Sequence, residues 1–396
     1  MLAERARRLT PSPTLALAAR ARALRAQGID VLSFTQGEPD FDTPERVKEA
    51  AVRALREGQT KYTDAGGIPE LRAAICAKLK RDSGLAYEPV EVIASVGAKH
   101  TLYNICSVLV DEGDEVIVPA PFWVSYTEQV RLCEGVPVVV PTDEGRGFQL
   151  DLAALRRAVT PRTKLLILNT PNNPTGAVFP RADLARVAAL AVERGFHVVS
   201  DECYDALSYE GRVPSIAALG PEIKARTLVV NTCSKAYAMT GWRLGFAAGP
   251  RDLVRAMSDF QGQCTSNPTS IAQWAAVEAL TGPQDEVAKM AGEFDRRRRV
   301  IIEGLNRIPG LRCPMPQGAF YAFPDVSGLF GRTWNGQPLR GSADVTTFLL
   351  ERARVAVVPG ADFGSDRHIR ISYACGLEQI REGLGRIEAA CARLEA

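Results

Sequence analysis

Short apolar segments alternate with longer helical patterns through the middle of the chain, and this alternation restricts the possible folds more than any other feature. The segments predicted as strands are residues 91–96, 115–119, 137–141, 164–169, 196–201, 227–232 and 244–248. The helices predicted between them are residues 98–110, 124–134, 152–158 and 181–194. Strands and helices in this order form a mostly parallel sheet with helices on both faces. The sequence therefore predicts an α/β fold.

Length and the flanking segments predict a second, smaller domain. A chain of 396 residues is too long for one ordinary hydrophobic core. Helices are predicted at residues 13–27, 44–58, 69–83, 285–308 and 377–394, and further strands at residues 318–324, 356–359 and 368–373. We expect a large domain at residues 46–280. Residues 1–45 and 281–396 are expected to form the small domain.

A run of four arginines, Arg296 to Arg299, lies within the long charged helix predicted at residues 285–308. Charge runs on helices usually face solvent. We therefore expect this run to form a solvated helix face.

Charge and cysteine usage exclude several classes of partner. Lys plus Arg number 48 against 46 Asp plus Glu, which gives no reason to expect nucleic acid or a membrane surface. No stretch approaches the roughly 18 apolar residues of a membrane span. Residues 1–29 are rich in arginine, but they lack the apolar core of a secretion signal. The nine cysteines are scattered without metal-ligand spacing. We expect a cytoplasmic protein without a metal site.

Lys235 is the first candidate for chemistry, because it follows the apolar segment at residues 228–232. Burying an ammonium group costs several kcal/mol when nothing compensates it. One interpretation is a lysine whose head extends to solvent. The other is an amine whose pKa is lowered by burial, so that it attacks an aldehyde.

Three other strand ends carry polar or small residues. Gly97, Ala98 and Lys99 begin a helix whose free N–H groups could hold a phosphate. Asn173 lies in an Asn-rich turn, and Asp201 with Tyr204 ends another strand. Each has a structural interpretation as a turn or a helix cap. Because the carboxyl ends of parallel strands share one edge, all these residues could meet in one crevice.

Five motifs in order give the chain a family resemblance: GEPDFDTP from residue 37, YTDAGGIPELR from 62, PNNPTG from 171, SKAYAMTGWR from 234 and RISYA from 370. With these motifs the chain resembles the fold-type I enzymes that use pyridoxal 5'-phosphate. Within them it is similar to the class I aminotransferases of the bacterial aspartate aminotransferase subgroup. The resemblance covers nearly the whole chain.

The resemblance implies a role for each residue around the cofactor ring. Lys235 would carry the cofactor as an imine, and Asp201 would pair with the pyridine nitrogen. Tyr204 and Asn173 would hydrogen-bond the phenolic oxygen, while Trp123 would stack on the ring. Lys235, Asp201 and Tyr204 are thus the implied catalytic residues.

The resemblance also implies a phosphate site and a substrate site. The phosphate would be surrounded by Gly97, Ala98, Lys99, Ser234 and Arg243, the first three through their backbone. Tyr62 would reach the phosphate of the neighbouring subunit, which implies a homodimer with shared active sites. Arg370 would bind the substrate α-carboxylate, with Gly37, Trp123 and Asn173 beside the substrate.

The chain departs from the family pattern at several positions. Gln36 replaces a small residue, Cys203 replaces Ile or Val, and Thr232 stands where a serine often helps to hold the phosphate. We expect the thiol to be tolerated and the Thr232 hydroxyl to substitute. No second arginine for a dicarboxylate is evident, and the hydroxyls of residues 11–14 are the candidates for that role.

The reaction expected from the resemblance is ping-pong transamination between aspartate and 2-oxoglutarate. An aromatic amino acid or prephenate is the alternative substrate. A pyridoxal-phosphate lyase on the same fold is a second alternative. A regulatory amino-acid sensor is a third, although the chain has no residues to spare for a DNA-binding domain.

Overall fold

The computed structural model describes the backbone of residues 7 and 13–395 and the side chains of residues 7 and 19–395. The strands are β1 (Leu32–Ser33), β2 (Val92–Ser95), β3 (Glu115–Ala120), β4 (Val136–Asp143), β5 (Gln149–Leu150), β6 (Thr163–Asn169), β7 (His197–Asp201), β8 (Thr227–Thr232), β9 (Gly245–Ala248), β10 (Tyr321–Ala322), β11 (Thr333–Trp334), β12 (Gln337–Pro338), β13 (Val355–Ala356), β14 (Val358–Pro359) and β15 (Ile369–Ser372).

The helices are α1 (Pro13–Ala26), α2 (Glu45–Arg56), α3 (Pro69–Ser83), α4 (Ala98–Leu109), α5 (Ser125–Leu132), α6 (Leu152–Ala158), α7 (Arg181–Arg194), α8 (Pro221–Lys224), α9 (Cys233–Ala236), α10 (Arg251–Cys264), α11 (Ser270–Thr281), α12 (Asp285–Arg307), α13 (Ser342–Phe348) and α14 (Leu377–Cys391). None of the helices within residues 13–395 is both long enough and apolar enough to span a lipid bilayer.

One sheet of eight strands organises the molecule, in the order β2-β9-β8-β7-β6-β3-β4-β5. The neighbours from β8 to β4 run parallel, while β9 and β5 run antiparallel to the strands beside them. The predicted mostly parallel α/β fold is therefore confirmed. Because β9 is reversed, the residues just before it lie at the edge where the parallel strands end.

Alternate residues of the central strands face opposite layers of helices. On β6, Leu165 and Ile167 pack in the core that also contains α4 and α5. The alternate residues Leu166 and Leu168 pack on the other face of the sheet, in the core with α6 and α7. All four are buried, so each strand stabilises both layers.

The segments outside this sheet pair with each other. Strand β1 pairs with β13, and β10, β15 and β14 form a three-stranded antiparallel sheet. The β1–β13 pairing supports the grouping of the N-terminal segment with the C-terminal part. The domain boundaries at residues 45/46 and 280/281 stay a prediction.

Five helices were not predicted: the short α8, α9 and α13 and the longer α10 and α11. Helix α11 is buried through Ala272, Ala275, Ala276 and Ala279 and packs against α2 and α3. Its sequence is apolar on most sides, so it lacks the one-sided pattern by which a surface helix is identified.

The expectation that the four arginines form a solvated face is wrong for two of them. Arg296 and Arg299 are exposed, but Arg297 and Arg298 are buried. Arg297 donates to Asp40 at 2.6 Å and to Glu293 at 2.9 Å, and Arg298 donates to the Pro316 carbonyl at 2.6 Å. Consecutive residues of a helix point about 100° apart, so a run of four must reach every side of it.

We predict that Arg297→Met lowers the free energy of unfolding by about 2 kcal/mol, because it removes a buried guanidinium that bonds Asp40 and Glu293 together. Arg296→Met is the matched control, since its side chain is 63% exposed against 7% for Arg297. It should change stability by less than about 0.5 kcal/mol. Urea unfolding followed by circular dichroism measures both, and equal effects would contradict the structural role of Arg297.

Candidate active site

A cavity of about 270 Å³ opens at the carboxyl edge of the large sheet. It gathers most of the residues singled out from the sequence. Those that line it are Gly37, Ala98, Lys99, Trp123, Asn173, Asp201, Tyr204, Ser234, Lys235, Arg243 and Arg370. Strands β6, β7 and β8 deliver their ends to this edge, and the reversed β9 adds Arg243, which precedes it.

Lys235 lies in the short helix α9, directly after β8. Its Nζ donates to the carbonyl oxygen of Gly37 at 2.6 Å. Burial lowers the pKa of Lys235 to about 8, and the positive charges of Arg370 and Arg243 act in the same direction. Of the two interpretations left open by the sequence, the structure favours an amine with a lowered pKa, half-buried at the cavity wall, over a lysine extended to solvent.

Helix α9 is fixed by a side chain at its start. The Thr232 hydroxyl accepts from the backbone N–H of Ser234 at 3.1 Å and lies 2.9 Å from both the Leu244 carbonyl and the Ser234 hydroxyl. Thr232 therefore acts as a helix cap as well as lining the cavity. Its predicted contact with a phosphate stays a prediction.

Asp201, the last residue of β7, is a buried carboxylate with two donors. Its Oδ2 accepts from the Tyr126 hydroxyl at 2.6 Å, and its Oδ1 accepts from the backbone N–H of Cys203 at 3.1 Å. Burial raises the pKa of Asp201, and these hydrogen bonds oppose that rise by stabilising the ionised form. Sequence reasoning missed Tyr126, although its place three residues after Trp123 was a usable signal.

Arg370 is a buried cation that attracts the carboxyl group of Asp362 through space but forms no salt bridge with it. It donates to the Asn173 side-chain oxygen at 3.0 Å and to the Thr35 carbonyl at 2.7 Å, and its Nε has no hydrogen-bond partner. Among the described residues no carboxylate lies within salt-bridge distance of it. Burial lowers its pKa. A buried guanidinium with neutral partners and a free N–H is arranged to receive an anion.

The first turn of α4 forms a second anion-binding feature. No side chain caps this helix. Gly97 has φ of +82°, a conformation that favours glycine, and a Cβ there would lie 2.4 Å from a guanidinium nitrogen of Arg243 and displace that side chain. Gly245 allows an equally close approach, since a Cβ there would lie 2.2 Å from the Ala98 nitrogen. Free N–H groups beside a guanidinium suit a phosphate.

The Asn-rich turn after β6 connects neighbouring strand ends. Asn169 accepts from the backbone N–H of Asn173 at 2.7 Å and donates to the Asp201 carbonyl at 3.1 Å. The segment is thus a turn, as the structural interpretation has it, and it also presents Asn173 to the cavity.

Lys99 places its side chain, and not only its backbone, at the cavity. Its Nζ lies 4.9 Å from the centre of the Trp123 ring. Burial, and then the charge of Arg243, lowers the pKa of Lys99. It pairs with no carboxylate among the described residues, so it is a second cation in the same cavity as Arg370.

Tyr321 also lines the cavity and was missed by sequence reasoning. Its hydroxyl lies 2.8 Å from that of Tyr204. Its position depends on how the C-terminal segment folds against the large sheet, so no local pattern marks it.

Two predicted groups of residues lie elsewhere. Tyr62 is 88% exposed and is not part of the cavity of its own chain. The hydroxyls of residues 11–14, predicted for a distal carboxylate, lie outside the described residues.

Comparisons with known proteins agree along the whole chain. The family model described as aminotransferase class I and II matches residues 29–387. The chain is 47% identical to an aspartate aminotransferase of Geobacillus stearothermophilus over 390 residues, covering 98% of each. It is 47% identical to an aspartate/prephenate aminotransferase of Cereibacter sphaeroides over 390 residues, again covering 98% of each.

Two solved structures share the fold. The aspartate aminotransferase of Rhizobium meliloti superposes with a TM-score of 0.97 at 45% identity, covering 100% of both chains. That of Thermus thermophilus with maleate gives a TM-score of 0.93 at 46% identity, covering 98% of this chain and 99% of that one.

We predict that Lys235 reacts with a small aldehyde at a lower pH than the other lysines. With its pKa at about 8, about half of its amine is neutral at pH 8, against about 0.3% for an ordinary lysine. Reductive methylation of the cofactor-free protein with formaldehyde and cyanoborohydride, followed residue by residue by mass spectrometry, should give a rate with a midpoint near pH 8.

Lys78 is the buried control for this experiment. Burial lowers the pKa of its ammonium group, but the charges of Asp205 and Asp82 and the hydrogen bond to Asp205 together outweigh burial and raise that pKa. Lys78 should stay unmodified up to pH 9. A Lys235 profile that rises only above pH 10 would contradict the lowered pKa.

Proposed function

The chain belongs to the class I and II aminotransferases, and we propose that it transfers the amino group of L-aspartate to 2-oxoglutarate with pyridoxal 5'-phosphate bound around Lys235. One observation carries this proposal. The low-pKa amine of Lys235 and the unpaired guanidinium of Arg370 line one cavity. A transaminase that uses pyridoxal phosphate needs both, an amine that exchanges with the substrate amine and a cation for the α-carboxylate.

The residues of the cavity fit the cofactor used by this family. The uncapped first turn of α4, with Arg243 and Ser234, suits the phosphate. The buried carboxylate of Asp201 suits a protonated pyridine nitrogen, and the face of Trp123 suits stacking. Pyridoxal phosphate supplies an aldehyde and an electron-withdrawing ring when it is bound.

Asp201 is assigned the task of keeping the pyridine nitrogen protonated. A buried carboxylate next to a cationic nitrogen stabilises the charged form of both. The donors Tyr126 and Cys203 N–H support the ionised carboxylate and fix its orientation. Tyr204 and Asn173 are assigned to the phenolic oxygen on the opposite side of the ring.

Arg370 is assigned the substrate α-carboxylate. Its guanidinium is held by Asn173 and Thr35, so its direction is set before substrate binds. Planar two-point binding of the carboxylate would orient the Cα–H bond. Lys235 Nζ, released when the substrate amine takes its place, then serves as the base that removes the Cα proton.

Lys99, the second cation in the cavity besides Arg370, supports a substrate with two carboxylates. We assign the distal carboxylate to Lys99, whose side chain reaches the cavity beside Trp123. The sequence shows no second arginine for a dicarboxylate, and this left the substrate undetermined. With Lys99 in that role, no second arginine is needed. The solved relative from Thermus thermophilus was obtained with maleate, itself a dicarboxylate.

Prephenate is the second acceptor to consider, because several relatives are named aspartate/prephenate aminotransferases. Prephenate also carries two carboxylates, so the pairing of Arg370 with Lys99 suits it as well. Assays with each acceptor, aspartate being the donor in both, separate the two.

A homodimer with shared active sites is also proposed. Tyr62 lies in the segment before α3 with its ring almost fully exposed. In a homodimer this ring would contact the cofactor phosphate that the partner subunit binds. The nine cysteines are free thiols, which fits the reducing cytoplasm.

We predict that Lys235→Ala stays folded, lacks the visible absorbance of the bound cofactor, and loses turnover by at least about a thousandfold. Lys80→Ala, at an exposed lysine of α3, is the control and should behave like the unaltered enzyme. Absorbance spectra and a coupled assay for oxaloacetate measure both. Turnover retained in Lys235→Ala would refute the mechanism.

We predict that aspartate ranks first in a scan of single amino donors. Lys99→Met should lower kcat/KM for aspartate about 10- to 100-fold, because one charge-assisted hydrogen bond is lost. The value for alanine, which has no distal carboxylate, should change less than about threefold. Single-turnover conversion of the bound cofactor gives the ranking, and an equal loss for both donors would refute the assignment of Lys99.

A further inference from the structure

The hydroxyls of Tyr204 and Tyr321 form a buried pair at the wall of the cavity. Their oxygens lie 2.8 Å apart, and the two side chains are 5% and 1% exposed. Tyr204 follows β7 of the large sheet, whereas Tyr321 lies in β10 of the C-terminal three-stranded sheet. The hydrogen bond therefore joins two separately built parts of the site.

Tyr321 is held in place by two further contacts. The guanidinium of Arg370 lies 4.7 Å from the centre of its ring. Its hydroxyl occupies the space beside Gly37, where a Cβ would lie 2.4 Å from the oxygen. Because Gly37 also accepts the hydrogen bond from Lys235, Tyr321 touches both the glycine that orients the lysine and the guanidinium of Arg370 itself.

We propose that Tyr321 is a positioning residue that acts through Tyr204: its hydroxyl donates to the Tyr204 oxygen and so strengthens the hydrogen bond that Tyr204 donates into the cavity. This inference rests on the proposed function, in which Tyr204 donates to the phenolic oxygen of the cofactor. No other role assigned above involves the Tyr321 hydroxyl.

Hydrogen counting gives the direction of the bond. A tyrosine hydroxyl has one proton to donate. When Tyr204 uses its proton toward an acceptor in the cavity, the proton between the two tyrosines must come from Tyr321. Two hydroxyls donating in series polarise each other, and burial strengthens the effect. A cation lies over each ring, but Arg370 is nearer to the Tyr321 ring, at 4.7 Å, than Lys235 is to the Tyr204 ring, at 5.8 Å, which favours Tyr321 as the donor.

Tyr321→Phe is the decisive variant, since it keeps the ring beneath Arg370 and removes only the hydroxyl. A weaker donor at Tyr204 stabilises the ionised phenolic oxygen less, so the protonated chromophore should persist to higher pH. We expect the pH midpoint of the visible absorbance change of the holoenzyme to rise by about 0.5 units. The dissociation constant of succinate, which has no amine to react, should change less than about twofold.

A double-mutant cycle tests whether the effect passes through Tyr204. Tyr204→Phe should raise the midpoint further than Tyr321→Phe does, and Tyr204→Phe/Tyr321→Phe should match Tyr204→Phe alone. Tyr373→Phe is the control for losing a buried hydroxyl, because Tyr373 donates to the Ala319 carbonyl at 3.1 Å and lies outside the cavity. It should leave the midpoint unchanged, with a change in melting temperature similar to that of Tyr321→Phe.

Two outcomes would overturn the inference. One is a midpoint shift by Tyr321→Phe that persists in the Tyr204→Phe background. The other is a midpoint that Tyr321→Phe leaves unchanged. Both leave the proposed function intact when the enzyme still takes up pyridoxal phosphate and converts aspartate. Failure of the unaltered protein to take up the cofactor would instead refute the proposed function.

Discussion

The active site depends on holding two cations, the half-buried Lys235 and the buried Arg370, with neutral hydrogen-bond partners. Lys235 bonds a backbone carbonyl, and Arg370 bonds an amide oxygen and another carbonyl. Neither cation has a carboxylate partner within the described chain. Such an arrangement costs folding free energy, which the surrounding sheet must offset. The same arrangement lowers the pKa of the amine and leaves the guanidinium open to an anion.

The topology of the large sheet makes that arrangement possible. Parallel strands bring Asn173, Asp201 and Lys235 to one edge, because each lies at or just after the carboxyl end of its strand. The reversed strand β9 brings Arg243 to the same edge from its amino end. Residues next to parallel and antiparallel strands therefore both line the cavity. The first turn of α4 forms its anion-binding side.

The C-terminal part adds a second set of residues from a different sheet. Arg370 and Tyr321 lie on the neighbouring strands β15 and β10, so one small sheet sets the spacing of the guanidinium and the phenol. Thr35 and Gly37, from the N-terminal segment, accept hydrogen bonds from Arg370 and Lys235 respectively. The large sheet, the N-terminal segment and the C-terminal part thus all contribute residues to one cavity.

The sequence by itself determined the α/β class, the positions of most strands and the residues at their ends. Strands buried on both faces are continuous apolar runs, and the polar residues that follow them lie at the edge of the sheet where ligands bind. It also determined the family, through motifs such as residues 171–176 and 234–243. Only the tertiary structure decided that Arg297 and Arg298 are buried, that Tyr126 donates to Asp201, and that Lys99 and Tyr321 face the cavity. These features depend on which segments pack together, and a contact between residues far apart in the chain leaves no periodic trace in either segment.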